Sequence, residues 1–378
     1  MQSVYLKRGK EKSIQRKHHW IFSGALKERP TNIQEGELVQ LCGSEGETLA
    51  FGHYGKKSIA LRILTFGKEF NEETFWEQRL KSAADMRQSL QLKETDCYRL
   101  VHGEGDGLPG LIIDRYANDF VVQAHSKGME NAFPIIEKNL IGIFGEKIKC
   151  HLRSAEKGKK QDEAMEIPIV ENGMKLLVDI GRGQKTGFFL DQRDNRQLLK
   201  EMSSAKKVLN MFSYTGGFSV AAMLGGASSV TSVDLSAPAI EMCSRNMSLN
   251  EERLKLTHKE IVMDAFEFLS NENLEYNVIV LDPPAFAKHL SAKKNALRAY
   301  ERLNRLALEK CQKGTTIFTY SCSQVVSKQD FRYAILNAAW ESGRSVRILK
   351  ELGQSLDHPV NLFHPETDYL KGLLLYVE

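Results

Sequence analysis

The stretch VLNMFSYTGGFSVAAMLGGASSVTSVD, residues 208–234, decides the fold. It begins and ends with short apolar runs, residues 208–212 and 229–234, that are typical of buried strands. An apolar helical segment lies between them. Strands that alternate with helices along the chain are typical of a parallel sheet. Because the alternation extends from about residue 185 to the end of the sequence, we predict an α/β fold with a doubly wound, mostly parallel sheet.

The same pattern predicts the other strands of this sheet, which would then contain seven. The last of them follows a loop with the pairs His358-Pro359 and His364-Pro365 rather than a helix, so we expect it to run antiparallel. The further strands are predicted at residues 258–262, 278–282, 315–320, 346–349 and 372–377.

The N-terminal half has a different pattern. Short strand-like runs separated by glycine-bearing turns favour a small β-barrel over residues 1–70. Apolar side chains at near-helical spacing predict a connecting helix over residues 70–92. A small α+β middle domain follows, with a charged loop at residues 154–166. Its predicted elements are strands at residues 98–101, 111–113, 120–124, 148–153 and 173–179 and a helix at residues 130–140. We therefore expect domains at residues 1–70, 71–184 and 185–378.

Composition sets the broad class of protein. Hydrophobic residues make up 42% and charged residues 26% of the chain, which is typical of a globular protein. No apolar run approaches the roughly 18 residues of a membrane span, so we expect a cytoplasmic protein without a membrane partner. The six cysteines form no C-x-x-C pair, which argues against a zinc site or disulfide framework, and we expect no metal.

A basic cluster lies near the N-terminus and is opposed there by Glu11 alone. Such a cluster is able to neutralise nucleic-acid phosphates, although a solvated terminus has the same composition. Its members are Lys7, Arg8, Lys10, Lys12, Arg16, Lys17, His18 and His19. Beside it, Trp20 is interpreted as a core residue rather than as an RNA contact.

Residues at the ends of the predicted strands are candidates for ligand binding, because doubly wound sheets bind ligands at the carboxyl ends of their strands. The first strand runs into the loop Phe212, Ser213, Tyr214, Thr215, Gly216 and Gly217, whose glycines allow a ligand to approach the backbone. The absence of G-x-G-x-x-G disfavours a dinucleotide. Asp234 is suited to the hydroxyls of a ribose, and Asp264 to an adenine amino group. Each is also a plausible helix cap.

The fourth strand ends in Asp282-Pro283-Pro284, the most specific local signal in the chain. Two prolines restrict φ and remove two backbone donors, so they hold Asp282 and the following carbonyls rigidly. Rigid acceptors suit a planar base that carries an amino group. The alternative interpretation is that the two prolines only end the strand.

Together these residues resemble class I S-adenosylmethionine-dependent methyltransferases. The phrase Gln184-Lys185-Thr186-Gly187-Phe188-Phe189-Leu190-Asp191-Gln192-Arg193 is similar to that of one family, the 23S rRNA cytosine-C5 methyltransferases with an N-terminal PUA domain. The resemblance covers nearly the whole chain. It includes residues 7–26, 101–116, 320–323 and 366–372.

The resemblance implies S-adenosylmethionine as cofactor and 23S rRNA, or a large-subunit assembly intermediate, as partner, with a possible homodimer. Gln184, Lys185, Thr186, Gly187 and Asp191 would border the methionine end of the cofactor. The loop from Phe212 to Gly217 would wrap it, Asp234 and Asp264 would hold its ribose and adenine, and Asp282 and Pro283 would complete the pocket. At the end of the first strand this chain has Asn210, where many class I members have an acidic residue.

The resemblance also implies a catalytic cysteine. Methylation of cytosine C5 requires a thiolate to add to C6, and Cys322 follows the strand next to that of Asp282. Asp282 is assigned to the cytosine N3 and amino group. Other RNA cytosine-C5 methyltransferases have a second cysteine where this chain has Ala285 and Phe286, so the base that removes the C5 proton is unassigned: ordered water and Asp282 are both open.

Two alternatives remain. A methyltransferase acting on a base nitrogen, such as guanine N7, would also use Asp282 and two prolines, and Cys322 would then be structural. An inactive RNA-binding or ribosome-assembly protein is the second. A nicotinamide dehydrogenase is the least favoured function, because the sequence lacks the G-x-G-x-x-G motif of dinucleotide-binding proteins.

Overall fold

The structure, a computed structural model, describes residues 1–154, 163–250 and 257–378. Most of the predicted charged loop therefore lies outside the described residues. The chain forms two compact units. The first comprises Met1–Ile167, Asp179–Phe188 and Leu356–Asp368, and the second comprises Pro168–Val178, Phe189–Ser355 and Tyr369–Glu378. The predicted boundaries after residues 70 and 184 stay a prediction.

The N-terminal part of the first unit is a five-stranded sheet with the order β1-β3-β4-β5-β2. Backbone bonds from Lys7 N to Ala25 O (2.9 Å) and from Lys27 N to Tyr5 O (2.8 Å) join the segment after β2 to β1 and close the sheet. This closure confirms the predicted barrel. The elements are β1 (Gln2–Tyr5), α1 (Lys12–Gln15), β2 (Trp20–Phe22), β3 (Leu38–Cys42), β4 (Thr48–Tyr54) and β5 (Ile59–Phe66).

The connecting helix and the middle α+β part complete the first unit. The sheet has the order β6-β7-β8-β9, with β8 and β9 parallel. The predicted helix at residues 130–140 is wrong in one respect: it is two helices. Pro134, which lacks a backbone donor, lies in the first turn of the second helix, where no such donor is needed. The elements are α2 (Glu72–Ser89), β6 (Cys97–His102), β7 (Leu111–Tyr116), β8 (Asp119–Ala124), α3 (Lys127–Asn131), α4 (Phe133–Phe144) and β9 (Lys149–Arg153).

A buried polar network anchors two later segments of the chain onto this middle sheet. The Arg99 guanidinium pairs with the Asp114 carboxylate at 2.6 Å. The Thr186 hydroxyl donates to Asp114 and contacts the Tyr116 hydroxyl at 2.9 Å. The backbone nitrogen of Arg99 donates to Asp357 Oδ2 at 2.8 Å. These contacts hold residues 179–188 and 356–368 within the first unit, to which both segments belong.

The second unit contains the predicted seven-stranded sheet, with the order β14-β13-β12-β15-β16-β18-β17. The strands β14, β13, β12, β15 and β16 are parallel. The predicted antiparallel direction of β18 is confirmed. The strands are β12 (Lys207–Met211), β13 (Ser229–Asp234), β14 (Thr257–Val262), β15 (Val278–Leu281), β16 (Thr316–Ser321), β17 (Val346–Gly353) and β18 (Lys371–Val377), and β10 (Glu166–Glu171) pairs with β11 (Met174–Asp179) in a separate hairpin.

The expectation of a buried strand at residues 346–349 is wrong. β17 lies at the edge of the sheet, pairs with β18 alone in the described chain, and leaves most of its side chains exposed. An edge strand has one neighbour, and a short apolar run does not reveal which side of a sheet it joins.

The helices of the second unit follow from apolar spacing and caps. α9 buries Ala296, Tyr300, Leu303 and Ala307, which lie on one helical face. Ser327 begins α10 with a capping box to Asp330. These helices are α5 (Arg193–Met202), α6 (Gly217–Leu224), α7 (Ala237–Ser248), α8 (Ala265–Asn271), α9 (Lys293–Lys310) and α10 (Lys328–Glu341). Among the described residues, no helix has both the length and the apolar composition to cross a membrane.

A buried ion pair joins β10 to α5 within the second unit. Arg196 Nε and Nη2 each donate to a carboxylate oxygen of Glu171 at 2.6 Å, and both side chains are almost inaccessible to water. We predict that Glu171→Gln lowers the free energy of unfolding by about 3–5 kcal/mol, because it leaves a buried guanidinium uncompensated. Urea denaturation measures the loss. The exposed Glu272→Gln is the control, and equal midpoints for both variants would contradict the prediction.

Candidate active site

The loop after β12 has an unusual backbone. Phe212 and Tyr214 have φ values of +58° and +47°, which side chains larger than glycine seldom adopt. Gly216, with φ +84°, precedes α6. Such conformations persist where the surrounding structure imposes them, and they cluster at ligand sites. The loop at the carboxyl end of β12 is therefore held in a conformation that local preference does not favour.

Buried polar atoms without partners surround this loop. Asn210 Nδ2 donates to Ser219 Oγ at 2.9 Å. Asn210 Oδ1, Ser213 Oγ and Thr215 Oγ1 are buried and have no hydrogen-bond partner within the described residues. Native proteins satisfy nearly all such atoms. A polar ligand at this strand end would supply the missing partners, so the donor and acceptor set fits the ribose and amino-acid groups of S-adenosylmethionine.

The two candidate aspartates of neighbouring strands have different contacts. Asp234 accepts bonds from Tyr214 N and Ser236 N, both at 2.9 Å. It is not the cap of α7, because Ser236 has that position. Asp264 is the N-cap of α8, and its Oδ1 accepts from the next backbone nitrogens at 2.9 and 3.1 Å. The capping interpretation therefore describes Asp264, whereas Asp234 holds the loop after β12.

Asp191 lies in a short 3₁₀ turn, Leu190–Gln192, of the second unit. The hydroxyl of Tyr369 donates to Asp191 Oδ2. Ser355 donates to the Asp191 carbonyl from its backbone nitrogen and its hydroxyl, both at 3.0 Å. Tyr369 was not predicted to have a role, although it lies at residues 366–372, one of the segments that carry the resemblance. It orients the Asp191 carboxylate.

The resemblance assigns four more residues to the methionine end of the cofactor. These residues, Gln184, Lys185, Thr186 and Gly187, belong to the first unit. Thr186 is buried in the polar network described above. Lys185 and Gly187 have φ values of +51° and +135°. The segment is thus a tight turn fixed by the Thr186 side chain.

The structure brings the strand end at Asp282 to Cys322. In the parallel pairing of β15 and β16, Leu281 is opposite Thr319, so the residues that follow the two strands leave the same edge of the sheet. The Cys322 thiol donates to the Pro283 carbonyl across 3.8 Å. Asp282 and Cys322 are both partly exposed. The Asp-Pro-Pro turn and the Cys322 thiol therefore lie side by side, and both Asp282 and Cys322 are accessible to solvent.

A buried lysine supports the residue after Cys322. Lys371 is 4% exposed, and its ammonium donates to the carbonyls of Ser323 and Tyr369, each at 2.7 Å. The Ser323 hydroxyl contacts the Tyr300 hydroxyl at 2.9 Å. Sequence analysis missed Lys371, although it belongs to the motif at residues 366–372. Its ammonium therefore contacts the backbone of the residue that follows Cys322.

Burial opposes the ionisation of three of the other cysteines. Burial raises the pKa of Cys150 and of Cys243 to about 11. Burial also raises the pKa of Cys311. Cys42 and Cys97 are buried. The thiolate is the nucleophilic form, so Cys322 is the strongest candidate among the six.

Comparisons with known proteins match both the N-terminal and the C-terminal part of the chain. A family model described as S-adenosylmethionine-dependent methyltransferase matches residues 151–351, and a PUA-like domain model matches residues 4–66. Ribosomal RNA large subunit methyltransferase I of Aeromonas salmonicida (strain A449) is 39% identical over 392 residues, covering 98% of each chain.

Two solved structures have the same fold over 99% of this chain and 100% of theirs, each at 24% identity. One is described as a methyltransferase from Streptococcus mutans, with a TM-score of 0.83, and the other as a methyltransferase complexed with SAH, with a TM-score of 0.85. At this identity the likeness supports the fold alone.

The seven-stranded sheet and the family match define an S-adenosylmethionine-dependent methyltransferase with an N-terminal PUA-like domain. Within that class, the chain belongs to the family of ribosomal RNA large subunit methyltransferase I. The predicted fold class, cofactor and family are confirmed.

Gly216 tests the loop after β12. A Cβ at this position would overlap Cys243 Sγ, and the left-handed φ costs an L-residue roughly 1–2 kcal/mol. We predict that Gly216→Ala lowers the melting temperature and weakens S-adenosylmethionine binding in calorimetry. Gly142→Ala, where a Cβ meets open space in α4, is the control and should change neither. Unaltered melting and affinity in Gly216→Ala would refute this account.

Lys371 tests the environment of the thiol. A cation beside a thiol favours the thiolate and lowers its pKa, so removing the charge raises it. We predict that Lys371→Met slows alkylation of Cys322 at neutral pH about tenfold, the effect of one pKa unit. Peptide mass spectrometry of iodoacetamide-treated protein across pH 6–10 measures it.

Lys371→Arg should retain most of the rate because it retains the charge. Exposed Lys313→Met is the control. A folded Lys371→Met protein with the wild-type pH profile would exclude an effect of this lysine on the thiol.

Proposed function

We propose that this methyltransferase acts on C5 of a cytosine in 23S rRNA and that Cys322 is its nucleophile. The observation that carries the proposal is the contact between the Cys322 thiol and the Pro283 carbonyl. A cysteine thiolate is able to add to cytosine C6. The contact places this thiol against the Asp-Pro-Pro turn, which suits a planar base. The name of the full-length relatives supports an rRNA substrate.

Residues of the second unit are proposed to hold the cofactor. The loop from Phe212 to Gly217 offers buried hydroxyls and backbone groups, and Asp234, Asp264 and Asp191 offer carboxylates. Asp282 and Pro283 form the adjoining edge. Gln184 to Gly187 are assigned to the methionine end by resemblance alone. When bound, S-adenosylmethionine supplies an electrophilic methyl group.

The roles of the chain's own side chains follow from cytosine chemistry. The Cys322 sulfur forms a bond to C6, and electron density moves to C5, which thereby becomes nucleophilic. Asp282 accepts a hydrogen bond from the amino group and shares a proton with N3 as electron density builds on the ring, and so favours this addition. Lys371 favours the thiolate form of Cys322. After C5 is methylated, loss of the C5 proton expels Cys322 and restores the aromatic ring.

No side chain is assigned as the base for that proton. Positions 285 and 286 are alanine and phenylalanine, which have no basic group. Asp282 and ordered water remain the two options from sequence.

RNA binding is proposed for the PUA-like domain, through its exposed basic side chains. Lys7, Arg8, Lys10, Lys12, Arg16 and Lys17 are exposed, and such charges neutralise phosphates. His19 does not belong to this set: it is buried, and its Nδ1 contacts the Ile63 carbonyl at 2.7 Å. Trp20 is half-buried, and its indole nitrogen donates to Glu104. A homodimer rests on family resemblance alone.

The nucleophile is tested with Cys322→Ser. We predict loss of methyl transfer to 23S rRNA of at least about a thousandfold, with S-adenosylmethionine affinity unchanged, because the hydroxyl is a far weaker nucleophile. In 5-fluorocytidine, fluorine replaces the C5 proton that must be removed before Cys322 is released. RNA containing this nucleotide should therefore trap wild-type protein in a covalent adduct visible on a denaturing gel.

Cys150→Ser, also partly exposed, is the matched control and should retain activity and adduct. Full methylation by Cys322→Ser without any adduct would contradict cytosine-C5 chemistry and support methylation of a base nitrogen. Intact cofactor binding without methylation of rRNA by the wild type would support a role in ribosome assembly.

A further inference from the structure

Three side chains from two distant segments of the first unit converge beside the PUA-like barrel. His18 Nε2 lies 3.4 Å from Glu366 Oε1, and His364 Nε2 lies 3.6 Å from Glu366 Oε2. Ligand atoms of the three residues all lie within 4.8 Å of one another. The histidine rings are close, with centroids 4.2 Å apart. These residues have no role in the proposed methyl transfer.

His364 is buried in a way that a histidine seldom is. Its side chain is 0% exposed, and neither ring nitrogen has a hydrogen-bond partner in the described chain. Native proteins rarely leave a buried polar group without a partner, because its lost hydration is not compensated. The ring points its Nε2 toward the Glu366 carboxylate.

Two of the separations are those expected at a zinc site. Zinc bonds to nitrogen and oxygen of about 2.0–2.2 Å place neighbouring ligand atoms about 3.3–3.6 Å apart in a tetrahedron. His18 Nε2 lies 3.4 Å from one oxygen of Glu366 and His364 Nε2 lies 3.6 Å from the other, so the carboxylate faces both imidazoles. The other ring nitrogen of His18, Nδ1, contacts the backbone of Trp20, with the carbonyl oxygen at 3.3 Å and the amide nitrogen at 3.2 Å. These contacts orient the ring with Nε2 toward Glu366.

We propose that His18, His364 and Glu366 form a Zn²⁺ site with two imidazoles, one carboxylate and a fourth position taken by water. The expectation of no metal rested on the spacing of the cysteines and did not consider histidines 346 positions apart in sequence. Sequence spacing does not reveal such a site because its ligands meet only in the folded unit.

The neighbouring charges do not exclude a cation. Lys12, Arg16 and Lys17 are exposed, so solvent and salt screen them, whereas the Glu366 carboxylate is in direct reach of the site. Bound zinc would cross-link residues 356–368 to the segment before β2. Metal binding should therefore stabilise the folded protein, because the unfolded chain has no preformed site.

The test uses the full chain stripped of metal with a chelator and titrated with ZnCl₂ in a calorimeter. We expect one ion per chain, a higher melting temperature, and at least a hundredfold weaker binding in both His18→Ala and Glu366→Gln. His289→Ala, an exposed histidine of the second unit, is the matched control and should bind like wild type. Glu366 is partly exposed, so its conservative amide variant should fold.

Co²⁺ provides a second readout that separates this site from adventitious thiol binding. A tetrahedral nitrogen and oxygen site gives visible d–d bands without a thiolate charge-transfer band, and these should vanish in Glu366→Gln. Absence of stoichiometric zinc binding by wild type, unchanged affinity in both ligand variants, or a thiolate band would overturn the proposal. Because none of these readouts is methylation, the outcome is independent of the proposed function.

Discussion

The parallel pairing of β15 with β16 is the constraint on which the candidate active site depends. Backbone hydrogen bonds fix its register, with Leu281 opposite Thr319, and a shift of one residue would turn every side chain to the other face. With this register, the chain leaves both strands at the same edge, and the Pro283 carbonyl meets the Cys322 thiol. Without this alignment, Asp282 and Cys322 would not lie at the same edge of the sheet and could not act on the same base.

The strand β18 adds the second constraint from the other side of β16. It runs antiparallel, so its first residues, rather than its last, lie beside the carboxyl end of β16. This direction places Lys371 against the Ser323 carbonyl, while Tyr369 just before the strand holds Asp191. One short segment thus supports both the candidate nucleophile and a candidate cofactor ligand.

Stability and function oppose each other at the loop after β12. Left-handed φ values at Phe212 and Tyr214 and unpaired atoms of Asn210, Ser213 and Thr215 all disfavour the folded state. The buried core of the sheet compensates for them. His364 in the first unit presents the same imbalance, with buried ring nitrogens that lack partners. In both places a bound ligand would supply partners for these polar atoms.

The sequence by itself determined the alternation of strands and helices, the connecting helix, the antiparallel last strand, and the strand-end residues from Asp234 to Cys322, because periodicity, prolines and glycines act locally. Only the tertiary structure decided that β17 is an edge strand, that Thr186 belongs to the first unit, that Lys371 adjoins the Cys322 turn, and that His18 meets His364. These facts depend on pairings between residues up to hundreds of positions apart. Such pairings are selected by the packing of the whole unit, and no local pattern encodes them.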